Sequence, residues 1–431
     1  MALTRFRKSL SVMNQCLIYS SYGNSQFFLN SISNTASFQC PNLNSFVSKL
    51  LQQPIFSIKA GLDSEEKCSS SIFKSQVFSW DALVIALKSS SPKKANLVVE
   101  WRLEKLMKEN EKNHDSYCEL IRLCGELQNV ETALHIFSLM EAQGLKPNSS
   151  VFNALLSACL SSHNFVTALS LFELMESSKD YKSDSDTYNA FISAHANLGN
   201  KKAMQAWYSA KIAAGFSADL QTYESLILGC LNSKDFPNAE IFYEEMTVAG
   251  FIPNVSIMQN MLIVYCENRN LSKIKEYMKY AMADSWRINR HTVAKIVNLF
   301  DELGSVRDME ELLVTLTNLN QTLENLSLVH SAIIRMYARI NRLDDVEYSV
   351  GRMLKQGISF RCPEDIEKVI SLYFRQAAYD RLDLFLKCIK DSYKFRRSTY
   401  DLLVAGYRRA GLQDKLDVLK NDMKLDGFFM S

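Results

Sequence analysis

Glycine and proline are scarce in this chain, 14 and 7 among 431 residues. An all-β fold built on tight turns needs more of both, so that class is disfavoured. No apolar run approaches the roughly 20 residues that span a bilayer, and no transmembrane helix or membrane partner is expected. The ten cysteines include no pair at the two-residue spacing of a zinc or redox site; they read as small core residues. A glycine-rich phosphate loop is missing. The six histidines form no ligand pair at helical spacing. No metal, cofactor or catalytic residue is therefore expected, and binding rather than catalysis is the expected role. What is present is 47% apolar and 22% charged, values suited to a folded chain.

Acids are missing from residues 1–62, which hold Arg5, Arg7, Lys8, Lys49 and Lys59 and are rich in Ser, Asn and Phe. That composition predicts an organelle transit segment, with the early arginines favouring the mitochondrion over the chloroplast. Beyond it 44 cations face 47 acids, so the body carries no broad basic surface. Residues 63–79 read as a Ser-rich linker. Residues 80–113, with Ser91-Pro92 as a helix start and Trp101, Leu103, Leu106 and Met107 following, read as a divergent helical cap.

From His114 a spacing repeats. Tyr117, Leu120, Ile121 and Cys124 make one helical stripe, and Ala133, Ile136, Phe137 and Met140 make a second. Gly144 and Pro147 then break the chain. The first stripe recurs from Phe152, Tyr188, Tyr223, Met258, Val293, His330, Ile366 and Tyr400, in steps of 34 to 37 residues. A lone helix pair cannot bury both stripes, whereas stacked neighbours make a continuous core. The spacing predicts an all-α solenoid of about nine helix-turn-helix repeats. Their ranges are 114–148, 149–184, 185–219, 220–254, 255–289, 290–326, 327–362, 363–396 and 397–431.

Thr187-Tyr188-Asn189, Thr222-Tyr223 and Thr399-Tyr400 at helix starts, Phe-x-x-Met at 137–140 and 172–175, and the closings Gly144…Pro147-Asn148 and Gly250…Pro253-Asn254 resemble pentatricopeptide repeats. The resemblance, over residues 114–431, looks like the P class of the plant organellar type. It implies a right-handed superhelix that binds single-stranded organellar RNA at one nucleotide per repeat. It also implies a role in RNA processing, splicing, stability or translation. The fifth and last positions of each repeat form the family's reading pair. Carried onto this chain they give Asn153 with Asp184, Asn189 with Asp219, Glu224 with Asn254, and Gln259 with Asn289. The first two match a uridine-preferring pair. Cys118 with Asn148 and Ser331 with Arg361 are unfamiliar pairs, and Ala294, Glu367 and Asp401 have no clear partner.

The position that sandwiches the base, often aliphatic in the family, is here Asp115, Ser150, Asp186, Gln221, Ser256, His291, Leu328, Glu364 and Ser398. Three are acids. These favour an alternative, a protein-interaction scaffold in an organellar complex such as the ribosome. Arg408 and Arg409 are the candidate RNA-backbone contacts. No His-x-Glu with a downstream Cys-x-x-Cys is present, and with the last repeat ending at Ser431 no deaminase or nuclease appendix is expected.

Overall fold

A computed structural model describes residues 41–68, 71–74, 78–109, 112–178, 181–283, 286–390 and 393–428. Helices and turns account for the described residues, without a strand. The chain divides into two compact units, up to Pro253 and from Asn254 onward.

The first unit opens with α1 (Pro41–Gln52), α2 (Ile58–Lys67), α3 (Trp80–Ser90) and α4 (Pro92–Glu109). Four helix pairs follow: α5 (His114–Glu126) with α6 (Val130–Ala142), α7 (Ser149–Ser161) with α8 (Phe165–Ser177), α9 (Ser185–Asn197) with α10 (Lys201–Ala213), and α11 (Leu220–Asn232) with α12 (Phe236–Val248). The second unit holds five pairs: α13 (Val255–Glu267) with α14 (Leu271–Ala283), α15 (Arg290–Glu302) with α16 (Val306–Asn318), α17 (Leu323–Arg339) with α18 (Leu343–Lys355), α19 (Pro363–Arg375) with α20 (Tyr379–Lys390), and α21 (Arg397–Ala410) with α22 (Gln413–Leu425). Each unit is thus a helical repeat solenoid. Within a unit the first helix of a pair packs on its own second helix and on the first helix of its neighbour.

The helices start where side chains satisfy free backbone N–H groups. Asn113, Asn129, Asn148, Asn164, Asp184, Asn200, Asp219, Asn254, Asn289 and Thr322 all cap this way. The turn between the two helices of each pair carries one residue with positive φ, at 128, 163, 199, 234, 269, 304, 341, 377 and 411. The apolar stripes are buried as their period requires: Tyr117, Ile121, Leu155, Ile192 and Leu226 have no exposed area. Close approach of first helices also needs small residues. A Cβ on Gly125 would lie 2.8 Å from the Ala158 backbone.

Two boundaries differ from the sequence reading. The stretch to residue 62 was expected to be a targeting segment and 63–79 a linker, yet residues 41–67 are mostly helical and part of the core. Leu43, Phe46, Val47, Leu50, Ile58 and Leu62 are buried against Leu83, Val84 and Leu87. Lys94 explains the attachment: its Nζ donates to the carbonyls of Leu50, Leu51 and Gln53 at the end of α1, at 3.0, 2.8 and 2.6 Å. Asp63 and Glu66 meet Lys105, and Asp63 accepts the Trp101 indole N–H at 2.9 Å. Residues 1–40 of the predicted targeting segment lie outside the described residues.

The seventh repeat, expected from 327, has its first helix begin at Leu323, after the Thr322 cap. The reason is local. Gln321 takes the Ile288 N–H at 3.1 Å and gives an N–H to the Trp286 carbonyl at 2.8 Å. Asn325 donates to the Ile288 carbonyl at 2.9 Å. These amides tie residues 321–325 to the preceding repeat and favour an extra turn of helix.

Candidate functional site

The residue that ends a repeat is, in most of the chain, the cap of the next first helix. Neighbouring first helices lie side by side, so the fifth residue of one sits beside that cap. This geometry brings the paired positions together. Asn153 Nδ2 donates to both carboxylate oxygens of Asp184, at 3.0 and 3.1 Å. Its Oδ1 accepts from the Thr187 hydroxyl at 2.7 Å. Asp184 also caps α9 in a reciprocal box with Thr187. Thirty-five or so residues on the same arrangement returns: Asn189 Nδ2 reaches the Asp219 carboxylate at 3.2 and 3.0 Å, and Asp219 caps α11 in a box with Thr222.

The second pair has a component that the sequence reading missed. Lys211, with no exposed area, donates from Nζ to Asn189 Oδ1 at 2.8 Å, Asp219 Oδ2 at 2.9 Å and the Thr222 hydroxyl at 2.7 Å. Burial alone would raise the Asp219 pKa. Hydrogen bonds from Lys211, the Thr222 backbone, Asn189 and Ser185 outweigh it and hold the carboxyl well below its usual range. The Asp219 side chain is nevertheless 40% exposed, so part of the carboxylate faces solvent.

The other candidates vary. Asn289 donates to Gln259 Oε1 and caps α15, while Gln259 Nε2 donates to the Arg287 carbonyl at 3.1 Å. Asn254 caps α13, and Glu224 is half-buried on α11. Asn148 caps α7; Cys118 is half-buried beside it in sequence register, its thiol pushed up by burial and by Asp115. Cys362 and Arg396, which precede α19 and α21, make no side-chain cap bond. Arg408 and Arg409 are exposed in the last turn of α21, where a cation also meets the negative end of the helix dipole.

Eight of the nine base-sandwich positions are exposed and Leu328 is half-buried. Three cations on the first helices of the second unit are paired within the protein: Lys295 with Glu267 at 2.6 Å, Arg339 with Asp301 at 2.8 Å and Arg335 with Asp365 at 3.1 Å. A surface hollow beside α5 is lined by Asp115, Ser116, Cys118, Glu119, Arg122 and Ala154, and Arg122 is tied to Asp81 at 2.7 Å. No group of three or more His, Cys, Asp or Glu suited to a metal occurs among the described residues. None of the described helices is long and apolar enough to cross a membrane.

Residues 108–161 match the pentatricopeptide repeat domain model, and residues 150–179 and 221–251 match the PPR repeat model. Residues 108–179 and 221–251 thus match pentatricopeptide repeats. A pentatricopeptide repeat-containing protein of Arabidopsis thaliana is 23% identical over 163 residues. That match takes in 38% of this chain and 36% of the relative, so the chain matches about a third of the relative's length. Among solved structures, the pentatricopeptide repeat protein PPR10 in complex with an 18-nt psaJ RNA element aligns at a TM-score of 0.49 and 15% identity, over 97% of this chain and 57% of that one. PPR10 from maize aligns at a TM-score of 0.36 and 13% identity, over 98% of this chain and 78% of that one.

Proposed function

We propose that this chain is a P-class pentatricopeptide repeat protein of the plant organellar type that binds single-stranded RNA, with nucleotides read singly along successive repeats. Its role would be in RNA processing, splicing, stability or translation, in the mitochondrion or, alternatively, the chloroplast. The observation that carries this reading is the recurrence, in adjacent repeats, of one Asn–Asp pair in one geometry: Asn153 with Asp184 and Asn189 with Asp219. A carboxylate partly open to solvent, oriented by an amide behind it, can accept an N–H from the Watson–Crick edge of a base. A row of like acceptors at constant spacing suits a polymer of bases better than a single small ligand. The exposed sandwich positions leave room for bases between repeats.

The test is selection from a random single-stranded RNA pool with the chain begun at Pro41, across a salt series. Enrichment of two adjacent uridines is expected, lost in Asn153→Ala with Asn189→Ala. Each replacement should weaken binding of the preferred RNA by roughly tenfold. Failure to retain RNA even at low salt would overturn the reading.

A second reading is a protein-binding scaffold in an organellar complex. The exposed acids Asp115, Asp186 and Glu364 at sandwich positions, together with the internally paired cations of the second unit, favour it. An RNA-binding failure in the pool experiment, with the fold intact, would shift the choice to this reading.

A further inference from the structure

We infer that Lys211 is a positioning and specificity-determining residue that makes the third repeat a more uridine-selective reader than the second, although both carry the same Asn and Asp. The inference rests on the RNA reading proposed above and refines it.

The observation starts with a column. Lys211 is the eleventh residue of its second helix. The same place is held by Met140, Met175, Met246, Ala281, Leu316, Met353, Ile389 and Met423 in the other repeats, all buried. Eight repeats put an apolar side chain there and one puts an ammonium. A buried lysine is costly unless its charge and all three donors are satisfied. Lys211 satisfies them with one residue of each kind that builds the pair: the Asn189 amide oxygen, the Asp219 carboxylate and the Thr222 hydroxyl. The cation is therefore part of the reading pair, reached from below.

Two consequences follow for recognition. In both repeats a Thr hydroxyl, a group that can accept as readily as donate, donates to the Asn oxygen, Thr187 to Asn153 at 2.7 Å and Thr222 to Asn189 at 2.8 Å, and the third repeat adds the Lys211 ammonium. An ammonium can only donate. Lys211 thus fixes the Asn189 oxygen inward and its N–H groups toward Asp219. Asn189 is accordingly 1% exposed, whereas Asn153 is half-buried. Second, the Asp184 carboxylate makes no ion pair among the described residues, while in the third repeat that charge is balanced at 2.9 Å. A balanced carboxylate still accepts from an N–H, and it repels a polyanion less. The acceptor is preorganised, and a base that offers no N–H at that point loses the whole contact.

The experiment uses the full chain and the RNA it retains, with each of the two adjacent uridines replaced in turn by cytidine. Asn153→Ala first assigns which uridine the second repeat reads. Lys211→Met installs the residue found in five other repeats, and a thermal melt checks the fold. The expected result is a loss of roughly tenfold in uridine-over-cytidine preference at the third repeat's nucleotide, with the second repeat's preference unchanged within about twofold. Met175→Lys added to Lys211→Met should move the higher selectivity one nucleotide along, which a merely structural lysine would not do. Equal change at both nucleotides, or at neither, in a folded Lys211→Met chain would overturn the inference while leaving RNA binding in place. Failure of the unaltered chain to bind any RNA would overturn the function first and this inference with it.

Discussion

One column of the first helices runs Cys124, Cys159, His195, Cys230, and in this company His195 is the one basic side chain. It is 1% exposed and stacks on Phe165 at 5.1 Å. Burial lowers its pKa to about 4 from 6.5. The neutral ring is thus favoured in the fold, and as the pH falls below 6.5 the unfolded chain takes up the proton first. Stability should fall between pH 6.5 and about 4 and level off below, by about 3 kcal/mol at most. His195→Cys should reduce that slope in urea melts across the window, leaving the part due to buried His330, whose pKa burial also lowers; an unchanged slope would place the titration elsewhere. At this scale the sequence was partly legible. The 35-residue spacing located Asn153, Asp184, Asn189 and Asp219 because they fall at fixed steps. Lys211 was not found, because a lysine on an amphipathic helix ordinarily reads as a snorkelling or surface residue. The usable signal was its place in a methionine column.

At the next scale, the repeats of the second unit are joined by a recurring device. Tyr337, Tyr373 and Tyr407 donate to Glu310, Glu347 and Asp383 on the second helix of the preceding repeat, at 3.4, 2.9 and 2.8 Å. Each carboxylate is also met by a cation from the following second helix: Arg352, Arg381 and Lys415. Tyrosine, carboxylate and cation thus bridge one repeat to the next at three successive junctions. The matching column of the first unit, with its cysteines and His195, has no hydroxyl to offer. Burial and then the Glu347 hydrogen bond raise the Tyr373 pKa well above its ordinary value, so it stays a donor at any working pH. Tyr373→Phe should cost about 1–2 kcal/mol, measured by denaturant midpoint, because a hydrogen bond to a charged acceptor is lost while the ring still packs. A change under a few tenths would show that Arg381 alone holds the junction. This device was invisible to spacing: the stripe showed that Tyr373 faces the core, and nothing in a 3.6-residue period names the acid its hydroxyl meets.

For the molecule as a whole, the helical repeat solenoid was legible from periodicity, since eight consecutive steps near 35 residues leave few other ways to bury the stripes. The amino-terminal boundary was not, because composition shifts from residue 63 onward while residues from Leu43 are already packed in the core. A chain begun at Pro41 should melt cooperatively. One begun at Asp63 loses Leu43, Phe46, Val47, Leu50 and Ile58 from the core and leaves Lys94 without its three carbonyls. Its first unit should be weaker by several kcal/mol, read as a lower melting temperature or early proteolysis near α3. Equal melting of both chains would show that α1 and α2 add no stability. The caps carry a different consequence. Asp184 and Asp219 close one repeat by sequence, yet start the helix of the next. A repeat cut at its border and grafted elsewhere would leave its last side chain to serve a foreign neighbour. Swapped or duplicated segments should therefore be joined inside the turns at 163, 199 and 234, where each exchanged block keeps a cap together with the helix it begins.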